Sequence, residues 1–247
     1  MLSTDVPPLT DIRPPVPRSI YRILSPLPSL DWSSDRTEER QAVERYIFAQ
    51  FRAVYGANIL EFMPELLNLH CAGKLFAVAG VRSALNSRLF LEQYFAIPIE
   101  EQLGRLIDGP VNRRVIAEIG NLVATRRGSS QLLFITVTAI LQQAGFDWVV
   151  FTATPQVEKS VRRLGIDLTV LGDANPAALN NTGASNWGVY YNCKPRVVAG
   201  RVSPALAALK QHNTSATVLS LYRRRVDALA TTLCQRICAS DRPTCTA

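Results

Sequence analysis

Histidine and lysine are both scarce in this 247-residue chain. With His70 and His212 the only histidines, a His-rich metal centre is excluded and a His-based triad has two candidates at most. Lysine is confined to Lys74, Lys159, Lys194 and Lys210, so 23 of the 27 basic groups are arginines. No apolar run reaches the roughly 18 residues of a membrane-crossing helix, and the longest, Leu132 to Leu141, spans about ten. The N-terminus has no basic stretch followed by an apolar one, so no cleaved secretion signal is expected. Five cysteines, Cys71, Cys193, Cys234, Cys238 and Cys245, make an odd count. In a chain of this size that reads as reduced thiols of a cytoplasmic protein. Cys234, Cys238 and Cys245 have no fourth ligand nearby and are read as small apolar side chains, so no metal site is assigned.

What the chain does have is apolar bulk and a skewed positive charge. It is 47% hydrophobic with mean hydropathy +0.07, enough to bury the core of one large domain or of a domain with an appendage. The net charge is +7, unevenly spread. Residues 196–247 hold eight basic groups against two acids, so that segment carries +6 and the first 195 residues only +1. Such asymmetry points to an anionic partner. Nucleic acid is not expected, because no recognition motif and no arginine–aromatic interleaving accompanies the charge.

Residues 1–35 hold seven of the fifteen prolines and read as a loosely ordered leader of extended, polyproline-like backbone. From Glu39 to Tyr55, Val43, Ile47, Phe51, Val54 and Tyr55 recur at helical spacing, with Thr37 as N-cap and Gly56 as terminator. Leu75–Val81 is a short apolar run that fits a central strand. Residues 88–95 form a strand or a helical turn, and Pro98 opens a short helix. Arg114–Ala124 is an apolar strand with Glu118 and Asn121 inside it. The turn Arg126-Arg127-Gly128-Ser129-Ser130 leads into helix 131–144, which is apolar nearly all round and therefore buried. Strand 147–154, a helix from Thr154-Pro155 to Leu164 and strand 166–171 follow. Residues 187–191 and 196–202 are late strand candidates. After residue 204, Leu219, Tyr222, Val226, Leu229, Leu233 and Ile237 lay an apolar stripe along a basic helix. That stripe packs on the domain or on a second copy, giving a homodimer, or else contacts a membrane surface. The organisation expected is a leader (1–35), an α/β domain with a mixed sheet flanked by helices (36–203) and a basic helical C-terminal extension (204–247).

Several segments together carry a resemblance. Phe62-Met-Pro-Glu-Leu-Leu, Ala77-Val-Ala-Gly-Val-Arg82, Leu89-Phe-Leu-Glu-Gln-Tyr94 and Pro98-Ile-Glu-Glu101 come first. Glu118-Ile-Gly-Asn-Leu-Val-Ala, Val150-Phe-Thr-Ala-Thr154, Arg163-Leu-Gly165 and Trp187-Gly-Val-Tyr-Tyr191 follow. Over residues 40–203 this succession resembles the thermostable hemolysin family. That family is similar at fold level to the GNAT-like acyl-CoA N-acyltransferases, above all the acyl-homoserine-lactone synthases. The resemblance implies a mixed central sheet with splayed strands and an N-acyltransferase using an acyl thioester. Its acceptor would be a small amine, in specialised-metabolite or signal biosynthesis. Arg82 and Glu118 stand where the synthases' pattern puts its arginine and glutamate, and Asn121 stands where they carry a further arginine. Arg127-Gly128-Ser129-Ser130 holds one glycine where the coenzyme-A phosphate loop has a fuller pattern. The donor this favours is an acidic acyl carrier protein, with coenzyme A as the other thioester; no tightly bound cofactor is expected. The hemolysin label keeps a second function open, a membrane-active or membrane-associating protein working through its basic C-terminal helix.

The residues themselves support matching roles. Glu118, flanked by Ala117 and Ile119, would have its pKa raised by desolvation and serve as a general base for the attacking amine, with Asn121 and Arg82 beside it. The alternative is a buried ion pair with Arg82 or Arg114. Arg126, Arg127, Gly128 and Ser129 precede a helix and can form a phosphate site for the thioester's carrier arm, or simply a solvated turn. Glu92, Thr152, Trp187 and Tyr190 are the candidate substrate pocket. Arg223, Arg224 and Arg225 are the candidate docking residues for the carrier protein.

Overall fold

The computed structural model describes residues 26–33, 37–85, 87–179 and 186–240. The first 25 residues of the leader and Cys245 lie outside them. The strands are β1 (Ser29–Ser33), β2 (Glu65–Cys71), β3 (Lys74–Ser83), β4 (Ile116–Ala124), β5 (Trp148–Ala153), β6 (Thr169–Asp173) and β7 (Arg196–Arg201). They form one sheet in the order β1-β2-β3-β4-β5-β7-β6, in which only β4 and β5 are parallel. The helices are α1 (Glu38–Tyr55), α2 (Ile99–Ile107), α3 (Ser129–Gln143), α4 (Pro155–Arg162), α5 (Val202–Gln211) and α6 (Asn213–Ser240). This is the mixed, helix-flanked α/β sheet that the sequence implies.

Two local irregularities open the sheet where chemistry can sit. The parallel ladder of β4 and β5 runs from Ile116 opposite Trp148 to Ile119 opposite Phe151 and stops, although both strands continue. Beyond Ile119 the strands splay. On its other side β4 carries a bulge: Val78 faces Val123 but Gly80 faces Gly120, so β4 has one residue more than β3 there. Asn121 absorbs it at φ +47°, a left-handed conformation that asparagine tolerates better than most residues.

One face of the sheet packs on α3, α5 and α6 through Leu67, Leu69, Ala79, Ile119, Leu133 and Leu229, among others. The opposite face is covered by α1 over β2 and β3, and by α2 with the 3-10 turn Phe90–Tyr94 over β5 and β7. Helix α1 begins where expected: the Thr37 side chain accepts from the Arg40 backbone N–H, and Gly56 ends it in a left-handed cap. Arg40 itself is buried and donates to the carbonyls of Ser33, Pro64 and Met63 at 2.6–2.7 Å. It thereby ties the segment before β2 to the end of β1.

Several expectations need correction. Residues 29–33, assigned to the leader, form β1, whose Asp31 and Leu30 carbonyl hold Arg225. The candidate strand 187–191 is a loop ending in the 3-10 turn Tyr190–Cys193, because its aromatic rings pack edge-on around one another instead of lying on a pleat. The strand expected at 166–171 is β6, which starts at Thr169, three residues later than expected. Strand β2 was not anticipated at all. The C-terminal helix is no appendage: Val218, Tyr222, Val226, Leu229 and Leu233 are each under 5% exposed within the main core. At about 1.5–3 kcal/mol per large buried side chain, this face contributes as much as a whole domain's net stability, about 5–15 kcal/mol. Of the readings of this stripe (packing on the domain, on a second copy or on a membrane surface), the structure has the first. Among the described residues no helix is long and apolar enough to cross a membrane.

Candidate active site

A cavity of about 510 Å³ passes through the sheet at the splay. On the α1 side its wall holds Arg82, Glu118, Phe90, Tyr94, Trp187 and Tyr190. Past the gap it continues among Phe134, Val137 and Leu141 of α3, Val157 and Val161 of α4, and Ala205 of α5. The first part is polar and aromatic, the second apolar. The helix that the sequence marks as apolar all round is therefore lined on one side by core and on another by this channel.

Glu118 sits at the junction. It is 2% exposed, and its two carboxylate oxygens accept from the backbone N–H groups of Phe90 and Leu91 at 2.9 Å each. These donors belong to the 3-10 turn Phe90–Tyr94, so the turn holds the carboxyl in place without neutralising it. Burial raises its pKa to about 7, with the two N–H bonds and the charge of Arg82 opposing the shift. Each oxygen retains lone-pair capacity for a further donor. Glu118 itself forms no ion pair with Arg82 or Arg114, so its carboxyl is not sealed in a buried pair. Arg82 lies directly opposite Glu118 in the β3–β4 register, and both line the cavity.

Asn121 also lines the cavity, but its side chain serves the backbone: Oδ1 accepts from the Met63 N–H at 2.7 Å. It positions the 57–64 segment over the bulge. Met63 then lies across the facing glycines Gly80 and Gly120. A Cβ on Gly80 would come within 2.5 Å of Met63 Cβ, whereas one on Gly120 would meet the mobile thioether end first. Gly80→Ala is therefore expected to push the 57–64 segment off the sheet and cost about 1–3 kcal/mol of stability. Gly120→Ala should cost less. Thermal melts of the two variants check the order, and equal melting temperatures would mean that Met63 does not need the slot.

Of the four pocket candidates, Thr152, Trp187 and Tyr190 line the cavity. Glu92 does not. It is buried beneath α2, bonded to Arg113 at 2.7 Å and to the N–H groups of Leu89 and Ile99. Burial works against its charge, yet Arg113 and those N–H groups outweigh it and hold its carboxyl below the ordinary value. Arg113 also pairs with Glu100, so this is a structural clasp. Residues missing from the candidate set are Phe90, Tyr94 and Met63, which share the cavity wall. Their signal lay in the 62–67 and 89–94 segments.

The turn before α3 lies away from the cavity wall. Gly128 takes φ +83° at the helix cap, and the Ser129 N–H and hydroxyl both turn back to the Arg126 carbonyl. Arg126 stacks over Phe76 at 5.3 Å, while Arg127 is exposed. Of the docking triplet, Arg223 and Arg224 are exposed, but Arg225 is engaged with β1 through the Leu30 carbonyl at 2.7 Å and through Asp31. It braces the sheet edge and leaves the docking set.

The model of the family described as thermostable hemolysin matches residues 33–206. No curated protein sequence matches the chain. Among solved structures it is similar to FeeM, an N-acyl amino acid synthase from uncultured soil microbes. The identity is 16% and the TM-score 0.51, covering 73% of this chain and 94% of that one. It is also similar to the acyl-homoserine-lactone synthase LasI, at 14% identity and TM-score 0.48 over 73% and 93% of the two chains. A third is the CoA-dependent acyl-homoserine lactone synthase MesI, at 17% and 0.43 over 74% and 94%. The splayed mixed sheet is a GNAT-like fold, shared with FeeM.

Proposed function

We propose that this chain, which belongs to the thermostable hemolysin family, is an N-acyltransferase that moves an acyl group from a thioester to the amine of a small molecule. The observation that carries the reading is the cavity through the sheet, with a base of raised pKa at one end and an apolar channel at the other. The acyl chain lies in the channel and the thioester carbonyl at the gap. Beyond Ile119, β4 has no ladder partner on its β5 side, so its backbone N–H groups on that edge can receive the developing oxyanion. The amine approaches from the Glu118 side. Its nitrogen attacks the carbonyl carbon, Glu118 takes the proton released from nitrogen, and the tetrahedral intermediate collapses. The C–N bond has formed, the C–S bond breaks, and the thiolate leaves to be protonated as free thiol.

The donor we favour is an acidic acyl carrier protein. In the Arg126–Ser129 turn Ser129 spends its N–H and hydroxyl on the Arg126 carbonyl, and the turn is not part of the cavity wall, which weakens it as a nucleotide-phosphate cradle. The exposed Arg223 and Arg224 supply positive charge for docking. Replacing both with glutamate should raise KM for an acyl-carrier-protein donor about tenfold and leave the coenzyme-A thioester unaffected. An unchanged KM discards this docking role. The acyltransferase reading itself is tested by incubating the protein with acyl-carrier-protein and acyl-CoA thioesters and an amine pool. Release of free thiol together with new amides is expected. No thiol release from either donor sinks it.

The membrane-active reading rested on the amphipathic C-terminal helix, and the apolar face it needs is buried against the domain.

A further inference from the structure

Five arginines among the described residues are at least partly buried: Arg40, Arg82, Arg113, Arg196 and Arg236. Four are satisfied. Arg40 reaches three carbonyls and Glu44, Arg113 pairs with Glu92 and Glu100, Arg196 with Glu158, and Arg236 with Glu65. Arg82 makes no hydrogen bond or ion pair with any described residue, yet it faces the cavity opposite Glu118. A partly buried cation without a bonded anion is costly. The Glu118 carboxyl is near enough to feel the charge of Arg82, but no hydrogen bond or ion pair joins the two.

We infer that the acyl acceptor is an α-amino acid with an apolar or aromatic side chain, its carboxylate held by Arg82 while its amine faces Glu118. This rests on the acyltransferase reading and names its second substrate. Directly opposed residues on antiparallel strands have Cβ atoms about 4.5–5.5 Å apart. A group bound between them must therefore carry its cationic and anionic ends close together, as an α-amino acid does. A guanidinium takes a carboxylate in a paired, two-bond geometry that a simple amine substrate would leave unused. The other anion a donor could bring, the phosphate of a pantetheine arm, lies a whole pantetheine length from the thioester and so away from the reacting amine. Beside Arg82 and Glu118, this face carries a cluster of aromatic rings. Trp187 packs against Tyr190 and Phe90 with centroids 5.2 and 5.7 Å apart, and the Tyr94 and Tyr191 hydroxyls meet at 2.6 Å. Such a cluster receives an apolar or ring-bearing side chain.

Two amides that differ only in the carboxylate test the site at equilibrium: N-tetradecanoyl-phenylalanine and N-tetradecanoyl-phenethylamine, titrated calorimetrically into the full chain. The carboxylate-bearing amide should bind at least tenfold tighter, and Arg82→Gln should abolish the difference, with Arg82→Lys restoring part of it. Equal affinities in the wild type, a preference that survives Arg82→Gln, or no binding of either amide would overturn the inference. Turnover supplies the separate arm, with tetradecanoyl carrier protein as donor and phenylalanine or phenethylamine as acceptor. Thiol release with phenethylamine but not phenylalanine overturns the amino-acid assignment and leaves acyl transfer standing. Discriminating binding without thiol release from any acceptor supports the carboxylate site and sinks the transfer step alone.

Discussion

Glu118→Gln is expected to lower kcat/KM for amide formation by about 10²–10⁴-fold, the range for removal of a positioned general base. The replacement keeps the shape, but one of the N–H groups of Phe90 and Leu91 loses an acceptor, so folding must be checked by circular dichroism and melting. The pH profile separates a catalytic role from a structural one. Glu118 acts as base only when ionised, and burial has pushed its pKa up to about 7. The wild-type rate should therefore fall as pH drops through about 7, well above the usual carboxylate range near 4.3. In Glu118→Gln that limb should vanish. A further rise at higher pH, from deprotonation of the acceptor amine, should remain in both. A wild-type profile flat between pH 6 and 8 would remove Glu118 from the proton path.

The same residue marks how far the sequence could be read. An acid within an apolar strand, followed by a turn and an apolar helix, was enough to place Glu118 on a central strand and to foresee its raised pKa. The succession of segments from Phe62 to Tyr191 then pointed to the fold. What stayed hidden depends on contacts distant in sequence. Glu92 looked like a pocket residue because nothing local reveals Arg113, its partner under α2. Strand β2 escaped because Leu66, Leu67, Asn68 and Leu69 are all buried. With both faces covered, the two-residue alternation that signals a strand is missing. Even the polar Asn68 points inward, to the Ser33 hydroxyl at 2.7 Å. The prolines of the first 35 residues masked β1 in the same way, since its Leu30 and Trp32 have meaning only against α6, where the Trp32 indole donates to the Leu229 carbonyl at 3.0 Å.

The +6 concentrated in residues 196–247 proves to be several things. Arg196, Arg225 and Arg236 are spent on Glu158, Asp31 and Glu65, locking β7 and α6 to the domain. Among the partly buried arginines of the described residues, the one with no hydrogen bond or ion pair, Arg82, comes from the nearly neutral part of the chain. A count of charge could not separate these uses, because pairing and not number decides which cations remain available.

The channel behind the gap makes the most quantitative prediction. The whole cavity, the Glu118 side included, measures about 510 Å³, more than three times the roughly 150 Å³ that accommodates one benzene ring. After room is left for the reacting groups, it suits a chain on the order of ten to fourteen carbons. Ala205 of α5 lines it beyond the strands, on the side away from Glu118. Ala205→Leu should fill the space of about three methylenes. At about 0.8 kcal/mol per buried CH₂, excluding them weakens a tetradecanoyl donor by roughly 2.4 kcal/mol. The ratio of kcat/KM for tetradecanoyl over hexanoyl donors should accordingly fall about 60-fold. Val137→Phe, entering from α3, should act in the same direction. Because each side chain grows into an existing void and not into packed core, the melting temperature should hold or rise. A melting temperature that drops while the chain-length ratio stays constant would place the acyl chain elsewhere and leave the channel a packing defect of the splayed sheet.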